Sequence, residues 1–319
     1  MTGDWLELRV AARREEALDI ISLRLVDAQG RELPSFAAGA HIDLELPGGL
    51  VRQYSLCSAA GRDGYEIAIL RDPASRGGSV AAHALTVGQM VRASSPRNHF
   101  PVAPGATHSI LLAGGIGITP LLCMAETLAL AGDSFVMHYC TRSADRTAFR
   151  TRIAQAHFAD SVHFHYDDGP EDQRFSTAQI LVEPQPGAHL YICGPAGFID
   201  HVLNTAHLAG WPPTQVHREY FATGASTDTA NGAFMLKLAS NGQTIHVPAH
   251  MSAAQALEAS GIVIPLSCEQ GICGACLTRV IEGEPDHRDL FLTDAEHAAN
   301  NQFTPCCSRA KSAALVIDL

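Results

Sequence analysis

The sequence predicts a multidomain chain: an antiparallel β-barrel, then an α/β domain with a parallel, doubly wound sheet, then an α+β domain that carries a cysteine cluster. Three observations predict this order. Short β-type runs separated by turn residues fill the N-terminal third, strands then alternate with helices, and grouped cysteines follow near the C-terminus. A chain of 319 residues is also too long for one ordinary core. We therefore predict domains over residues 1–103, 108–222 and 233–319.

The N-terminal block has the turn spacing of a small barrel. Glycine, proline and aspartate interrupt its apolar runs at intervals of 8–15 residues, which is typical of several short strands in one antiparallel sheet. The predicted strands are 20–26, 41–46, 51–56 and 65–70. Residues 101–107, which contain two prolines and a glycine, read as a linker.

The middle block alternates strand and helix patterns, which predicts βαβ units and a parallel sheet. The predicted strands are 109–113, 135–140, 162–166, 189–193 and 216–220, and the predicted helices are 119–131 and 196–208. Residues 222–232 are small and polar, so we predict a flexible linker. Beyond it, Asn241-Gly242 predicts a hairpin between strands 234–239 and 244–248, followed by a helix over 253–259.

Charge and hydropathy exclude several protein classes. A net charge of −11 disfavours nucleic acid as a partner. The N-terminus lacks the apolar stretch of a secretory signal. The uncharged run 109–125 has 17 residues, contains three glycines and a proline, and is shorter than a spanning helix requires, so we predict no membrane segment. Nine cysteines with a metal-binding spacing indicate a reducing compartment, which we take to be the cytoplasm.

The cysteine cluster is the most specific motif in the chain. Cys268, Cys273 and Cys276 lie in one glycine-rich loop, and Cys306 follows after 29 further residues. This is the plant-type ferredoxin spacing for a [2Fe–2S] cluster. Zinc also accepts four thiolates, but its sites usually pair two short cysteine hooks. Because Cys307 is adjacent to Cys306, the spacing alone leaves the fourth ligand open.

A glycine-rich turn in the middle block predicts dinucleotide binding. Residues 114–120 (Gly-Gly-Ile-Gly-Ile-Thr-Pro) follow the first strand of the βαβ series and open a helix. Such a turn brings backbone N–H groups close to a pyrophosphate. We expect Thr119 as the helix N-cap and Pro120 as the first helical residue. Arg142 and Arg146 after the second strand leave NADPH open as an alternative to NADH, or are solvated loop charges.

A nicotinamide delivers a hydride and a [2Fe–2S] cluster accepts single electrons, so a flavin is expected between them. Two segments of the first block would suit one: residues 52–56 (Arg-Gln-Tyr-Ser-Leu) and 76–79 (Arg-Gly-Gly-Ser). An arginine beside a glycine-rich turn favours a phosphate group. The first segment is equally well explained as a half-buried strand.

These motifs occur in the order typical of the phthalate dioxygenase reductase family, and the chain resembles that family over essentially its whole length. The resemblance implies an FMN-binding barrel, an NADH domain and a C-terminal β-grasp ferredoxin domain. It implies FMN rather than FAD, and it selects Cys306 as the fourth cluster ligand because the family's last cysteine precedes one variable residue and then Ser-Arg.

The resemblance also implies roles for individual residues. Arg52, Tyr54 and Ser55 match the flavin motif, and Gly77, Gly78 and Ser79 match the loop that holds the FMN phosphate. The pyridine-nucleotide loop is matched by Gly115, Gly117, Thr119 and Pro120. The turn beside the nicotinamide is matched by Cys193, Gly194 and Pro195, with Cys193 a spacer for hydride geometry rather than a nucleophile. The segment near the flavin–nicotinamide stack is matched by Glu219 and Phe221.

The resulting hypothesis is an NADH-dependent reductase that passes electrons through FMN and the [2Fe–2S] cluster to a separate Rieske-type oxygenase or demethylase of aromatic compounds. No general base or covalent nucleophile is required. A cytochrome or other non-Rieske acceptor is one alternative, and a redox-sensing binding protein is another. Sixteen histidines are present, of which His163 and His165 share a strand face. No two-histidine, one-carboxylate motif stands out as an oxygen-activating iron site, and we expect the histidines to be surface or strand residues.

Overall fold

The structure is a computed structural model that describes residues 5–61, 63–73, 75, 77–221, 232–266, 271 and 274–319. The chain divides into two compact units, Met1–Phe221 and Ala222–Leu319. The predicted linker falls at this division, and all of it except Gly232 lies outside the described residues. Among the described helices, none is long and apolar enough to cross a membrane.

The first unit begins with an antiparallel sheet of seven strands. They are β1 (Leu6–Ala17), β2 (Ile20–Asp27), β3 (Ala40–Glu45), β4 (Val51–Ser55), β5 (Tyr65–Leu70), β6 (Met90–Ala93) and β7 (Arg97–Asn98), with helix α1 (Gly78–His83) between β5 and β6. The order is β4-β3-β6-β1-β2-β5, and β7 pairs with β3. A bridge between Leu56 and Ile67 joins the two ends, which closes the predicted barrel around an apolar interior.

A five-stranded parallel sheet follows in the same unit, as predicted. Its elements are β8 (His108–Gly114), α2 (Ile118–Ala131), β9 (Phe135–Thr141), α3 (Arg150–Ala154), β10 (Val162–Tyr166), α4 (Thr177–Ile180), β11 (Ala188–Gly194), α5 (Ala196–Leu208) and β12 (Val216–Tyr220). The strand order is β10-β9-β8-β11-β12. The carboxyl ends of β8, β11 and β12 therefore lie side by side, where doubly wound sheets bind nucleotides.

The start of α2 differs from the prediction. The helix begins at Ile118 after a short 3₁₀ turn, so its N-cap is Gly117 rather than Thr119, and Pro120 is not the first helical residue. The Thr119 hydroxyl instead donates to the Ile116 carbonyl oxygen at 3.0 Å. The 3₁₀ turn supplies the hydrogen bonding that a capping side chain would otherwise provide.

The barrel and the parallel sheet share one hydrophobic core. Barrel-side residues such as Ile20, Cys57 and Phe100 pack in the same buried cluster as Leu111 and Tyr191 of the sheet. This shared core explains why the first two predicted domains form a single compact unit.

An ionic network also joins these two parts. The Arg152 guanidinium donates from Nη1 to Glu66 on β5 at 2.9 Å and from Nε to Glu126 on α2 at 2.9 Å. The other Glu126 oxygen accepts from the Ala59 backbone N–H at 2.9 Å. The side chains of Arg152, Glu66 and Glu126 are only 20%, 18% and 8% exposed. Water screens such a network weakly, so it stabilises one relative orientation of barrel and sheet.

We expect Arg152→Met to destabilise the first unit by about 3 kcal/mol, because removing one partner leaves two largely buried carboxylates uncompensated. The shift of its urea unfolding midpoint measures the effect. The control is Arg13→Met, which removes an exposed pair with Glu15 at 3.8 Å and should cost less than about 1 kcal/mol. Equal shifts for the two variants would contradict the role given to Arg152.

The second unit has a mixed sheet and two helices. Its strands are β13 (Phe234–Leu238), β14 (Thr244–Val247), β15 (Thr278–Glu282), β16 (Pro285–Asp286), β17 (Gln302–Phe303), β18 (Arg309–Ala310) and β19 (Ala314–Ile317), with helices α6 (Ala253–Ala259) and α7 (Asp294–Ala299). The main sheet runs β14-β13-β19-β15-β17, and β16 pairs with β18. The predicted hairpin at Asn241-Gly242 and the predicted helix over 253–259 are confirmed.

Candidate functional site

The glycine turn after β8 lies directly against the end of β11. Gly117 is buried, with a φ of −62° that any residue can adopt. A β-carbon there would collide with the Cys193 carbonyl oxygen. Gly114 and Gly194 approach each other in the same way, since a β-carbon on Gly194 would lie 2.9 Å from the Gly114 Cα. These glycines are required by close backbone approach, so the two predicted nucleotide segments form one surface.

Cys193 and Gly194 are the last two residues of β11, and Pro195 follows as the N-cap of α5. The Cys193 side chain is fully buried, and this burial raises the pKa of its thiol well above the ordinary value. A neutral thiol is a poor nucleophile. The structure therefore fits the predicted role of Cys193 as a spacer.

Glu219 links this surface to the barrel. It pairs in register with Cys193 across β11 and β12. Its Oε2 accepts a hydrogen bond at 3.3 Å from the Ser55 hydroxyl, which lies 164 residues earlier in the chain at the end of β4. Phe221 follows directly after β12 and packs against the shared core. The flavin and nucleotide motifs thus meet at Ser55, Glu219 and Cys193.

Burial raises the pKa of the Glu219 carboxyl to about 8, and the Ser55 hydrogen bond offsets this effect only in part. At neutral pH the carboxyl is therefore mostly protonated in the folded chain. A protonated carboxyl can donate a hydrogen bond as well as accept one. Glu219 is thus a donor at the meeting point of the two motifs.

This pKa predicts a pH-dependent stability. Between the ordinary glutamate pKa of 4.5 and about 8, the folded chain binds a proton at Glu219 that the unfolded chain has released. The stability of the flavin-free first unit should therefore fall as the pH rises through this window. Urea unfolding midpoints should be measured for wild type and Glu219→Gln across this pH range. The decrease in stability that is due to Glu219 should be absent from the variant. An identical pH profile for wild type and variant would contradict the raised pKa.

The predicted flavin-phosphate segments also lie together. A β-carbon on Gly78 would lie 2.6 Å from the Arg52 Nε, so the guanidinium stem crosses the turn that opens α1. Ser79 accepts a hydrogen bond from the Asp72 backbone N–H at 3.1 Å. Tyr54, between Arg52 and Ser55, is half-buried against the barrel core, and burial raises its pKa to about 12. A cationic side chain beside a glycine turn is a donor set suited to a phosphate.

Two of the four predicted cluster cysteines, Cys268 and Cys273, lie outside the described residues. Cys276 is 4% exposed, and Cys306 lies at the edge of the second unit's core. Contact with the Cys276 thiol, and next with the Cys307 thiol, raises the pKa of Cys306. Thiols brought together in this way suit a metal centre that binds them as thiolates.

Cys307, next to Cys306, contacts a different part of the cysteine loop. A β-carbon on Gly271 would collide with the Cys307 Sγ, so this sulfur packs directly on the backbone of the cysteine loop. The Thr304 hydroxyl is 3.3 Å from the same sulfur. Both adjacent cysteines therefore face the loop, and Cys306 is the one that contacts Cys276.

Sequence reasoning missed two groups of polar residues. One is the network of Arg152, Glu66 and Glu126, which no local motif marks. The other brings His287, Asp289 and His297 close together in the second unit. The pattern Thr293-x-x-Glu296 is a capping box, a signal that could have predicted helix α7 and with it the position of His297.

Comparison with known families assigns two parts of the chain. Residues 111–204 match the oxidoreductase NAD-binding domain family. Residues 236–311 match the 2Fe-2S iron-sulfur cluster binding domain family. The first match contains the glycine turn and the Cys193 segment, and the second contains all four predicted cluster cysteines.

Full-length relatives resemble the whole chain. A vanillate O-demethylase oxidoreductase from Pseudomonas sp. (strain HR199 / DSM 7063) is 54% identical, over 98% of this chain and 100% of its own length. The solved structure of phthalate dioxygenase reductase, described as modular for electron transfer from pyridine nucleotides to [2Fe–2S], superposes with a TM-score of 0.80 at 39% identity, covering 99% of this chain and 98% of that one. An intact type IV self-sufficient cytochrome P450 monooxygenase gives a TM-score of 0.82 at 37% identity, covering 99% of this chain and 41% of that one.

Proposed function

Because this chain belongs to the phthalate dioxygenase reductase family, we propose that it delivers electrons from NADH to the Rieske centre of a separate oxygenase or demethylase. It is an NADH-dependent oxidoreductase with FMN and a [2Fe–2S] cluster, and a separate oxygenase component is its partner. The single observation that carries the proposal is the contact of Ser55 in the barrel with Glu219 beside Cys193. This contact supports the proposal that a flavin held at Ser55 faces a nicotinamide held at Cys193.

In this proposal, the residues at that contact orient the two ring systems. Gly117 and Gly194 let the glycine turn and the end of β11 lie in direct backbone contact, so that both segments can line the nicotinamide pocket, and Cys193 sets its depth. Ser55 and Glu219 provide adjacent hydrogen-bonding groups at the barrel side. When bound, FMN supplies the conversion from hydride transfer to single-electron transfer. The protein contributes proximity and fixed dipoles, and no side chain is required as a general base.

Two further sets of residues anchor the cofactors. The Arg52 guanidinium and the turn at Gly77, Gly78 and Ser79 would hold the FMN phosphate. Cys268, Cys273, Cys276 and Cys306 would hold the cluster. All-cysteine ligation favours a low potential, which suits a donor to a Rieske centre with two histidine ligands. The thiol ligands and the free cysteines Cys57 and Cys123 also support a reducing, cytoplasmic location.

A haem acceptor is a second candidate. The match with the self-sufficient cytochrome P450 favours it. Nearly all of this chain aligns with 41% of that longer protein, so a reductase part of this kind occurs in one chain with a P450. The two candidates share the same NADH and flavin chemistry and differ only in the partner. The acceptor must therefore be tested directly.

The test presents purified protein and NADH, without oxygen, with one of two acceptors: the oxygenase component of a vanillate O-demethylase or a bacterial cytochrome P450. We expect rapid bleaching of the Rieske absorption and slow reduction of the haem. The reverse ranking would select the haem acceptor. If the protein reduces neither acceptor but still oxidises NADH with ferricyanide as the electron acceptor, the proposed electron delivery is overturned.

A further inference from the structure

A cluster of two histidines and one aspartate lies in the second unit, apart from the four cysteines that the family assigns to iron. His287 and Asp289 follow β16, and His297 lies in α7. Their nearest ligand atoms all lie within 4.8 Å of one another. Imidazole nitrogens with a carboxylate oxygen form a common donor set for Zn²⁺ and similar transition-metal ions.

Asp289 is held rigidly at the centre of this cluster. Its side chain is fully buried. Oδ2 accepts a hydrogen bond from the Leu292 backbone N–H at 2.9 Å, and Oδ1 accepts one from the Ser308 hydroxyl at 3.2 Å. Both donors fix the position of the carboxylate. A buried carboxylate is stabilised by positive charge, which a cation shared with the two neighbouring imidazoles would provide.

His287 presents a lone pair to this carboxylate. Its side chain is 8% exposed, and its Nε2 lies 3.3 Å from the Asn300 Oδ1, which can only accept a hydrogen bond. The proton of a neutral ring therefore sits on Nε2. This leaves a bare Nδ1 that is buried without a hydrogen-bond partner among the described residues and lies 3.7 Å from the Asp289 Oδ1. A histidine oriented by an outer acceptor in this way is typical of metal ligands.

His297 completes the set from the solvent side. Its Nε2 lies 3.3 Å from the Asp289 Oδ2, and its side chain is 27% exposed, so an ion can reach the cluster. Ligand atoms of a tetrahedral zinc ion, at about 2.0–2.2 Å from the metal, lie about 3.4 Å apart. The His297 Nε2 lies 3.3 Å from Oδ2 and the His287 Nδ1 lies 3.7 Å from Oδ1, so each imidazole nitrogen is about this far from one carboxylate oxygen, and the two oxygens together would hold the ion.

The cluster also borders the cysteine loop. The Leu290 backbone N–H donates to the Gly271 carbonyl oxygen at 3.0 Å. Ser308, which donates to Asp289, stands two residues after Cys306. A dication bound here would fix the segment behind the loop and place positive charge near the iron–sulfur centre.

We propose that His287, Asp289 and His297 form a second metal site, distinct from the [2Fe–2S] cluster, that binds one Zn²⁺ ion or a divalent ion of similar chemistry. The site leaves one coordination position for water and holds the segment 287–297 against the cysteine loop.

The first test is a Zn²⁺ titration of the tag-free holoprotein, dialysed against chelator and followed by isothermal calorimetry. We expect one equivalent to bind, and affinity to fall at least about tenfold in His297→Asn, since even outer-shell changes cost that much. The control is His246→Asn, an exposed histidine on β14 of the same unit, which should bind as wild type does. Equal binding by all three proteins, or none, would mean an adventitious ion only and would overturn the proposal.

The second test does not depend on a variant that folds. Co²⁺ added to the wild-type holoprotein should shorten the electron-spin relaxation time of the reduced [2Fe–2S] signal, because a paramagnetic ion in this site lies beside the cysteine loop. Excess Zn²⁺ should restore the original relaxation. An unchanged relaxation time at one bound equivalent of Co²⁺ would overturn the proposed position.

Discussion

Replacing Cys306 by serine should abolish the iron–sulfur cluster, whereas replacing its neighbour Cys307 should leave the cluster in place. Cys306 contacts Cys276, a predicted ligand, while Cys307 packs on Gly271. Loss of an outer-shell partner already costs about 10–100-fold in metal affinity, so loss of a ligand should cost more than about a hundredfold. Iron and acid-labile sulfide per chain measure the effect.

The paired variants make this result specific. Cys306→Ser should retain flavin and its reduction by NADH, because the cysteines belong to a separate compact unit. Its transfer of electrons onward to the oxygenase should be lost. A Cys307→Ser protein without a cluster, beside a Cys306→Ser protein with one, would reverse the assignment of the fourth ligand.

Adding a single methyl group at Gly117 should impair hydride transfer by about a hundredfold, the cost of displacing reacting groups by about 1 Å. The β-carbon would collide with the Cys193 carbonyl oxygen, a backbone atom that cannot rotate away. The φ of −62° makes the effect purely steric. Stopped-flow bleaching of the flavin absorption by NADH measures the rate in Gly117→Ala.

The control for this variant is Gly232→Ala. Gly232 is the first described residue of the second unit, and a β-carbon there meets no atom within 4 Å. Its rate should equal that of wild type. If Gly117→Ala is reduced as fast as the control, the turn after β8 does not set the position of the nicotinamide.

Most of the fold was predictable where the local pattern is strong. Short strand-like runs between helical segments predicted every strand of the parallel sheet, and Gly132, with a φ of 76°, ends α2 where expected. The long strand β1 was missed because its second half, Arg13 to Glu16, is charged and reads as solvated loop. It forms a strand because β2 pairs with it along nearly its whole length.

The site was predictable only in its parts. Each motif is a short segment with its own spacing, so Arg52, Gly117 and Cys193 could be named individually. The meeting of these motifs in space depends on long-range contacts, such as that of Ser55 with Glu219. The hydrophobic periodicity of the sequence does not predict such contacts. The Thr119 prediction was wrong for a local reason, since the turn before α2 satisfies the backbone without a side-chain cap. The raised pKa of Glu219 follows from burial, which the sequence does not reveal.

The most direct measurement is an anaerobic titration of the purified protein with NADH, followed by visible absorbance, with the released flavin identified after heating. We expect FMN in the extract and bleaching of both the flavin band and the [2Fe–2S] band as NADH is added. Bleaching of the flavin alone would break the proposed path between the two centres. A colourless protein that contains zinc at the four cysteines would contradict the central claim.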